Sequence, residues 1–184
     1  GDRDLATFPL FALFDPLLGV TAVIPDMDAS KPAKASPKKL FDTIEAQNCN
    51  QMFASPALLN NLARYGEENA KPVPGLERVI SAGAPARPDD LRKLQGLISK
   101  DGEIHTPYGA TEALPVASIS SREILKETWM ETQRGGGTCV GTPLAGMEVF
   151  IIAIDDGVIE KWSPSLALAQ GEVGEIVVKG PVVT

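Results

Sequence analysis

Residues 78–106 read RVISAGAPARPDDLRKLQGLISKDGEIHT, and this stretch decides the fold. Its two ends, residues 78–81 and 103–106, are short runs that predict strands. Between them Pro88 suits the first position of a helix, and the two aspartates after it favour the helix dipole in the first turn. The stretch therefore predicts a strand, a helix and a second strand, which is the repeating unit of a parallel sheet.

The same alternation continues on both sides of this unit. Residues 8–24 form the most apolar part of the chain and predict a buried helix that runs into a buried strand at 20–24. Asp15 and Gly19 interrupt this part, and it is shorter than the roughly 20 apolar residues that a membrane span needs. Further strands are predicted at 51–54 and 116–119, and further helices from residues 37, 56 and 120.

After residue 137 the pattern changes to short strands without helices between them. Residues 147–154, 158–162 and 175–179 predict antiparallel strands, and the Asp-Gly pair before residue 158 predicts a hairpin. The sequence therefore predicts an α/β class: residues 1–137 form a largely parallel sheet flanked by helices. Residues 138–184 are predicted to form a smaller, incomplete antiparallel part, resembling a distorted barrel.

The composition is that of a globular protein rather than a nucleic-acid binder. Hydrophobic residues make up 43% and charged residues 22% of the chain, and the formal net charge is −7. Phosphate backbones are bound by clustered lysine and arginine, so an acidic chain argues against nucleic acid as a partner. Two cysteines without metal-ligand spacing argue against a disulfide scaffold and favour the cytoplasm.

Residues 105–112, HTPYGATE, hold the side chains with the most evident chemical use. Tyr108 offers a ring for a flat heterocycle, and Gly109 lets a ligand approach the backbone. Thr111 offers a hydroxyl to a phosphate oxygen, and Glu112 offers a carboxylate to Mg²⁺. A tyrosine at the end of a strand can also serve packing alone, and this motif by itself leaves both interpretations open.

Four motifs occur in order: SAGAP (81–85), YGATE (108–112), VGTPLAGME (140–148) and GEVGEI (171–176). Together they resemble those of the adenylate-forming superfamily of acyl-CoA synthetases, luciferases and peptide-synthetase adenylation domains. The opening FPLF (8–11) also resembles a segment of that family, with Ala12 where a histidine usually stands. Among its members, the chain looks most like bacterial long-chain fatty-acid-CoA ligases and the olefin-pathway enzymes that make β-lactones.

The resemblance implies an ATP-dependent ligase that activates a fatty or β-hydroxy fatty acid as acyl-AMP. Adenine would lie between the 83–85 backbone and the Tyr108 ring, Thr111 would contact the α-phosphate, and Glu112 would bind Mg²⁺. Thr106 stands where relatives often carry an amide near the adenine amino group. The implied nucleotide-binding residues are Gly83, Ala84, Pro85, Thr106, Tyr108, Gly109 and Thr111, with Thr111 and Glu112 as the catalytic residues.

Several parts of the family pattern do not occur in these 184 residues. These missing parts are the phosphate loop, the ribose-binding Thr-Gly-Asp and the small carboxy-terminal domain with its lysine. We therefore expect a fragment of a longer enzyme that is inactive alone and that packs with the remaining domains of its parent. The acceptor of the acyl group is left open between CoA, a carrier protein and an internal hydroxyl, and a stand-alone nucleotide-binding or scaffold module is the alternative.

Overall fold

A seven-stranded sheet organises the chain in the computed structural model, which describes residues 1–184. The strands are β1 (Arg3–Leu5), β2 (Thr21–Val23), β3 (Gln51–Phe53), β4 (Arg78–Ile80), β5 (Glu103–Ala110), β6 (Ala113–Ser120) and β7 (Thr142–Pro143). Their order is β2-β1-β3-β4-β5-β6-β7, and β1 to β5 pair in parallel. The predicted α/β class with a largely parallel sheet is confirmed.

Six α-helices accompany the sheet, and the first four connect its parallel strands. They are α1 (Pro9–Phe14), α2 (Pro37–Gln47), α3 (Pro56–Glu68), α4 (Pro88–Gln95), α5 (Ser121–Glu123) and α6 (Trp129–Gln133). A 3₁₀ helix (Asp15–Leu18) follows α1, and a π-helical turn (Ile124–Thr128) joins α5 to α6. The side chains of Ser36, Ser55 and Ser120 accept the backbone N–H three residues ahead, so each caps a predicted helix start. No helix is both long and apolar enough to cross a membrane.

The main core lies between one face of the sheet and helices α2 to α4. The middle residues of the parallel strands, such as Met52 and Val79, are buried there together with Leu59 and Leu91. The connections that build β3, β4 and β5 all move in one direction along the sheet, while the connection from β1 to β2 moves in the other. Right-handed crossovers therefore place α1 on the opposite face from α2 to α4.

Two compact units make up the chain. The first comprises residues 1–107 and 119–141, and the second comprises residues 108–118 and 142–184. In the second unit, β8 (Glu148–Ile152) pairs antiparallel with β9 (Glu175–Lys179). A small core of its own contains Val116 and Met147. The division into an α/β subdomain at 1–137 and a β-rich subdomain at 138–184 stays a prediction.

Residues 8–24 are not the buried helix and strand that their composition predicts. Helix α1 has no buried residue, and Leu13, Leu17 and Leu18 are 66%, 79% and 77% exposed. The physical reason is position: β2 is the outer strand of the sheet, and α1 lies on the face without the other helices. The apolar composition indicated burial, but the strand order leaves this segment at the edge of the sheet.

The predicted hairpin at the Asp-Gly pair is also wrong. Residues 158–162 form no strand, and the Asp155 carboxylate instead accepts the backbone N–H of Gly157 at 2.8 Å. Such a local side-chain bond gives the backbone an alternative to a hairpin turn. The partner of β8 is β9, which lies farther along the chain.

Candidate nucleotide-binding site

The SAGAP segment leaves the carboxyl end of β4, the edge at which parallel sheets bind ligands. Gly83 has φ +95°, a left-handed conformation that glycine adopts without strain. Gly83, Ala84 and Pro85 are all exposed. Backbone and small side chains there are thus open to a flat ligand.

Ser81 anchors the start of this segment. Its backbone N–H donates to the carbonyl of His105 on β5 at 2.9 Å. Its hydroxyl is buried, with the residue 1% exposed, and has no hydrogen-bond partner. Sequence reasoning treated Ser81 only as part of a motif, and nothing in the pattern indicates that the hydroxyl is buried.

Thr106 lies on β5 in the same unit and is half-buried. Its hydroxyl donates to the carbonyl of Ile119 on β6 at 3.3 Å. A hydroxyl that donates to one group still has lone pairs with which to accept from another. Thr106 can therefore accept a hydrogen bond from an amino group of a ligand.

The YGATE segment differs in shape from the turn that the sequence predicts. Strand β5 continues through Tyr108 and Gly109 to Ala110, and only residues 111–112 form the turn to β6. A side chain at Gly109 would collide with the carbonyl oxygen of Ala113 and with Leu114. This close approach, rather than an unusual φ angle, accounts for the glycine.

Tyr108 is half-buried in the second unit. It packs against the small core that contains Val116 and Met147. It also lines an open groove of about 660 Å³ together with Ile152 and Ile176. The tyrosine thus packs against the small core and, at the same time, lines a concave surface.

Glu112 lies at the exposed tip of the β5–β6 hairpin. Its backbone carbonyl accepts from the N–H of Thr184 at 2.9 Å and from the Thr184 hydroxyl at 3.2 Å. Its carboxylate makes no hydrogen bond or ion pair, and the neighbouring Thr111 side chain is also exposed and unbonded. The turn is therefore fixed through the backbone, and both functional side chains are left free.

The donor set suits Mg²⁺ held together with a nucleotide. The chain has no group of three or more acidic, histidine or cysteine side chains that could form a metal cage. Mg²⁺ is usually bound through one or two carboxylates and the phosphates of a substrate, so a single free carboxylate fits this mode. Gly83, Ala84, Pro85 and Thr106 belong to the first unit. Tyr108, Gly109, Thr111 and Glu112 belong to the second unit, and their action as one site stays a prediction.

Two acidic residues that sequence reasoning did not select are unusual. Asp4 on β1 and Asp15 at the start of the 3₁₀ helix are each 7% exposed. One carboxyl oxygen of each, Oδ2, has no hydrogen-bond partner. The available signal was their position, since each stands next to an apolar run.

Comparison with known proteins gives one consistent result. The family model described as AMP-binding enzyme matches residues 7–184. The olefin beta-lactone synthetases of Stenotrophomonas maltophilia and Xanthomonas campestris pv. campestris are each 52% identical over all 184 residues. The chain spans 32% of the length of each of these relatives.

Solved structures agree in fold. An amide bond synthetase from Marinactinospora thermotolerans matches with a TM-score of 0.69 and 26% identity, covering 98% of this chain and 33% of that one. O-succinylbenzoate coenzyme A synthetase from Bacillus subtilis, in complex with AMP, matches at 22% identity. Its TM-score is 0.69, and the match covers 99% of this chain and 33% of that one. With the family model matching nearly its whole length, the chain belongs to the AMP-binding enzyme family of adenylate-forming ligases.

Proposed function

We propose that the parent of this chain is an ATP-dependent ligase that activates a fatty or β-hydroxy fatty acid as its acyl-adenylate. A carboxylate oxygen of the acid attacks the α-phosphorus of ATP. The bond between the α- and β-phosphates breaks, and pyrophosphate leaves with the electron pair. We further propose that this takes place in the cytoplasm, where reduced thiols such as Cys49 persist.

The residues of the chain supply binding and orientation in this proposal. The exposed backbone at 83–85 and the ring of Tyr108 hold adenine, and Thr106 accepts from the adenine amino group. The Thr111 hydroxyl donates to an α-phosphate oxygen, where negative charge develops during attack. Glu112 binds Mg²⁺, which neutralises phosphate charge and orients the pyrophosphate to be released.

The observation that carries the proposal is the free state of Thr111 and Glu112. Both side chains lie at a hairpin tip that the backbone fixes, and neither has a structural partner in the protein. Exposed side chains add little to stability, so these two are free to bind a ligand without a cost to folding. The four ordered motifs and the family to which the chain belongs agree with that interpretation.

The substrate class rests on similarity to the olefin beta-lactone synthetases. In that branch we propose that the β-hydroxyl of the acyl-adenylate attacks its own carbonyl carbon and displaces AMP, which closes a four-membered lactone. Transfer to CoA is the other route. The chain carries Ala12 in its Phe-rich segment, and a small residue there leaves more room beside an acyl group.

Pyrophosphate release by the full-length parent, measured over a panel of carboxylic acids, tests the proposal. Release that depends on fatty or β-hydroxy fatty acids, with a lactone or an acyl-CoA as product, supports it. A preference for aromatic or amino acids would retain the reaction and discard the substrate class. If no acid stimulates release while the protein binds ATP, a nucleotide-binding module is the better description.

We also propose that these 184 residues alone do not form acyl-adenylate. The chain spans about a third of its relatives, and loss of even one preorganised donor costs roughly 10²–10³ in rate. Mass-spectrometric detection of acyl-AMP should therefore give a signal with the full-length parent and none with the isolated chain. Acyl-AMP made by the isolated chain would contradict this proposal.

A further inference from the structure

Asp90 is a buried carboxylate close to the SAGAP segment. It is the third residue of α4, and it is 3% exposed. The side-chain amide of Asn60 on α3 donates to Asp90 Oδ1 at 2.9 Å. Arg87 Nε lies 3.2 Å from Asp90 Oδ2, and Arg87 Nη2 donates to Oδ1 at 3.5 Å. One side chain thus joins the start of α4 to α3 and to the residue that precedes α4.

The pairing of Asp90 with Arg87 acts on position more than on stability. Burial of a carboxylate costs free energy, and attraction to a partner returns roughly that cost. The guanidinium group is planar, so contacts from two of its nitrogens fix its direction as well as its distance. The Asp90 side chain is 5% exposed and the Arg87 side chain 72%. A buried acceptor therefore holds an exposed arginine in one place.

Residues 82–86 are held mainly at their two ends. Upstream, the Ser81 N–H donates to the His105 carbonyl on β5. Between the ends, residues 82–86 make no hydrogen bond to another backbone group. Downstream, Arg87 is the N-cap of α4, and its side chain makes no capping hydrogen bond. The polar contacts that fix this downstream end are those of Asp90.

A groove of about 480 Å³ runs beside this segment. Its lining includes Pro85, Arg87 and Asp90 as well as Asn60 on α3. Pro85 also belongs to the backbone to which the proposed function assigns adenine, and only Ala86 separates it from Arg87. A movement of Arg87 or of the start of α4 would therefore be passed directly to residues 83–85.

We propose that Asp90 is a positioning residue for residues 82–86: by binding Arg87 and Asn60, it fixes the end of this segment that leads into α4. The part of the inference that concerns adenine rests on the proposed function. Asp90 acts through Arg87 and the start of α4, so it needs no contact with a substrate. Without its charge, the segment samples more conformations, and nucleotide binding has to order it.

Asp90→Asn in the full-length parent tests the inference. The new amide still accepts from Asn60, but it presents N–H groups to a guanidinium that has only donors, so Arg87 is released. The KM for ATP should rise about tenfold, which corresponds to ordering one backbone residue on binding. The kcat and the KM for the acid should stay near their native values, because a base contact made equally in the ground and transition states affects KM alone.

Asp89→Asn is the matched control. Asp89 is the exposed neighbour of Asp90, its carboxylate lies 3.9 Å from Arg92, and its loss should leave the KM for ATP unchanged. Arg87→Gln is the second variant, at an exposed side chain, and should raise the KM for ATP in the same direction. A lower kcat with an unchanged KM for ATP, or KM values for ATP and acid that rise together, would overturn the inference.

Limited proteolysis tests the positioning without any activity. Elastase cuts after small residues, and local loosening of a segment raises its rate of cleavage. Cleavage after Ala82 and Ala86 should be several-fold faster in Asp90→Asn than in the native parent or Asp89→Asn. Cleavage after Ala70, in the loop that follows α3, should not change.

The two experiments fail in different ways. Equal cleavage after Ala82 in the native parent and Asp90→Asn, or an equal increase after Ala70, would overturn the positioning role. If no acid stimulates pyrophosphate release by the native parent, the proposed function fails, and the proteolysis still decides whether Asp90 positions residues 82–86.

Discussion

At the scale of single residues, the proposed chemistry depends on side chains that the fold leaves without partners. Thr111 and Glu112 are exposed at a hairpin tip that Thr184 fixes through backbone contacts. Gly109 has the opposite role, because its missing side chain allows the two strands of that hairpin to approach. Substitutions at these positions should therefore separate function from stability.

Glu112→Gln in the full-length parent should lower the rate of pyrophosphate release by about 10²–10³, as for loss of one preorganised charge contact. Its melting temperature should hardly change, because the carboxylate has no structural partner. Glu68→Gln, on an exposed position of α3, is the matched control and should leave both rate and stability unchanged. A near-normal rate for Glu112→Gln at saturating Mg²⁺ would end the assignment of Glu112 as a metal ligand.

Gly109→Ala should destabilise the protein by about 1–3 kcal/mol, as overpacking against a fixed backbone does. The added carbon would meet the Ala113 carbonyl oxygen, which cannot move without disturbing the strand. Thermal unfolding of the parent measures the effect. Gly75→Ala is the control, since a carbon there meets only the Cys49 carbonyl at 4.0 Å. Equal melting temperatures for the two variants would contradict the steric explanation.

At the scale of elements, Ser121 joins a strand to two helices. Its hydroxyl accepts the backbone N–H of Ile104 on β5 at 3.3 Å and donates to the side chain of Gln95 on α4 at 2.5 Å. The Gln95 amide in turn donates to the carbonyl of Gly102 at 2.8 Å. This network positions β5, which leads into the YGATE segment, relative to α4.

Ser121→Ala should lower the free energy of unfolding by about 1–3 kcal/mol, because the buried Ile104 N–H loses its partner. Denaturant unfolding monitored by tryptophan fluorescence measures the loss. Ser118→Ala, at a half-buried serine whose hydroxyl makes no hydrogen bond, should cost less than Ser121→Ala. A larger loss at Ser118 would show that side-chain volume, rather than the network, matters.

At the scale of the whole molecule, exposed apolar side chains are concentrated in residues 8–24. Seven large apolar residues there are 45% exposed or more: Phe8, Leu10, Leu13, Phe14, Leu17, Leu18 and Ile24. Clusters of exposed apolar side chains are uncommon on monomeric soluble proteins and favour association. The isolated chain should therefore be prone to self-association through this segment.

Leu13→Glu combined with Leu17→Glu should reduce both the binding of a hydrophobic fluorescent dye and the light scattering of the isolated chain. Stability should change little, since these side chains are 66% and 79% exposed. Val158→Glu is the control, because Val158 is 90% exposed outside this segment. Dye binding that falls equally in the control and the double variant would argue against residues 8–24 as the surface through which the chain self-associates.

The sequence by itself determined the class of fold and the identity of the motifs. Periodicity and helix-capping residues such as Ser36 and Ser55 act locally, so they predict helices and strands without knowledge of distant contacts. The motif SAGAP is similarly local, because a glycine and a proline at a strand end restrict the backbone in any context.

Only the tertiary structure decided which side chains are buried and which strands pair. The apolar segment at 8–24 is exposed because β2 is the outer strand, and strand order is set by contacts between residues far apart in the chain. The length of β5 and the partner of β8 depend in the same way on pairing across the sheet. Asp4 and Asp15 are ordinary acidic residues in the sequence, and only the fold buries them, so that each is 7% exposed.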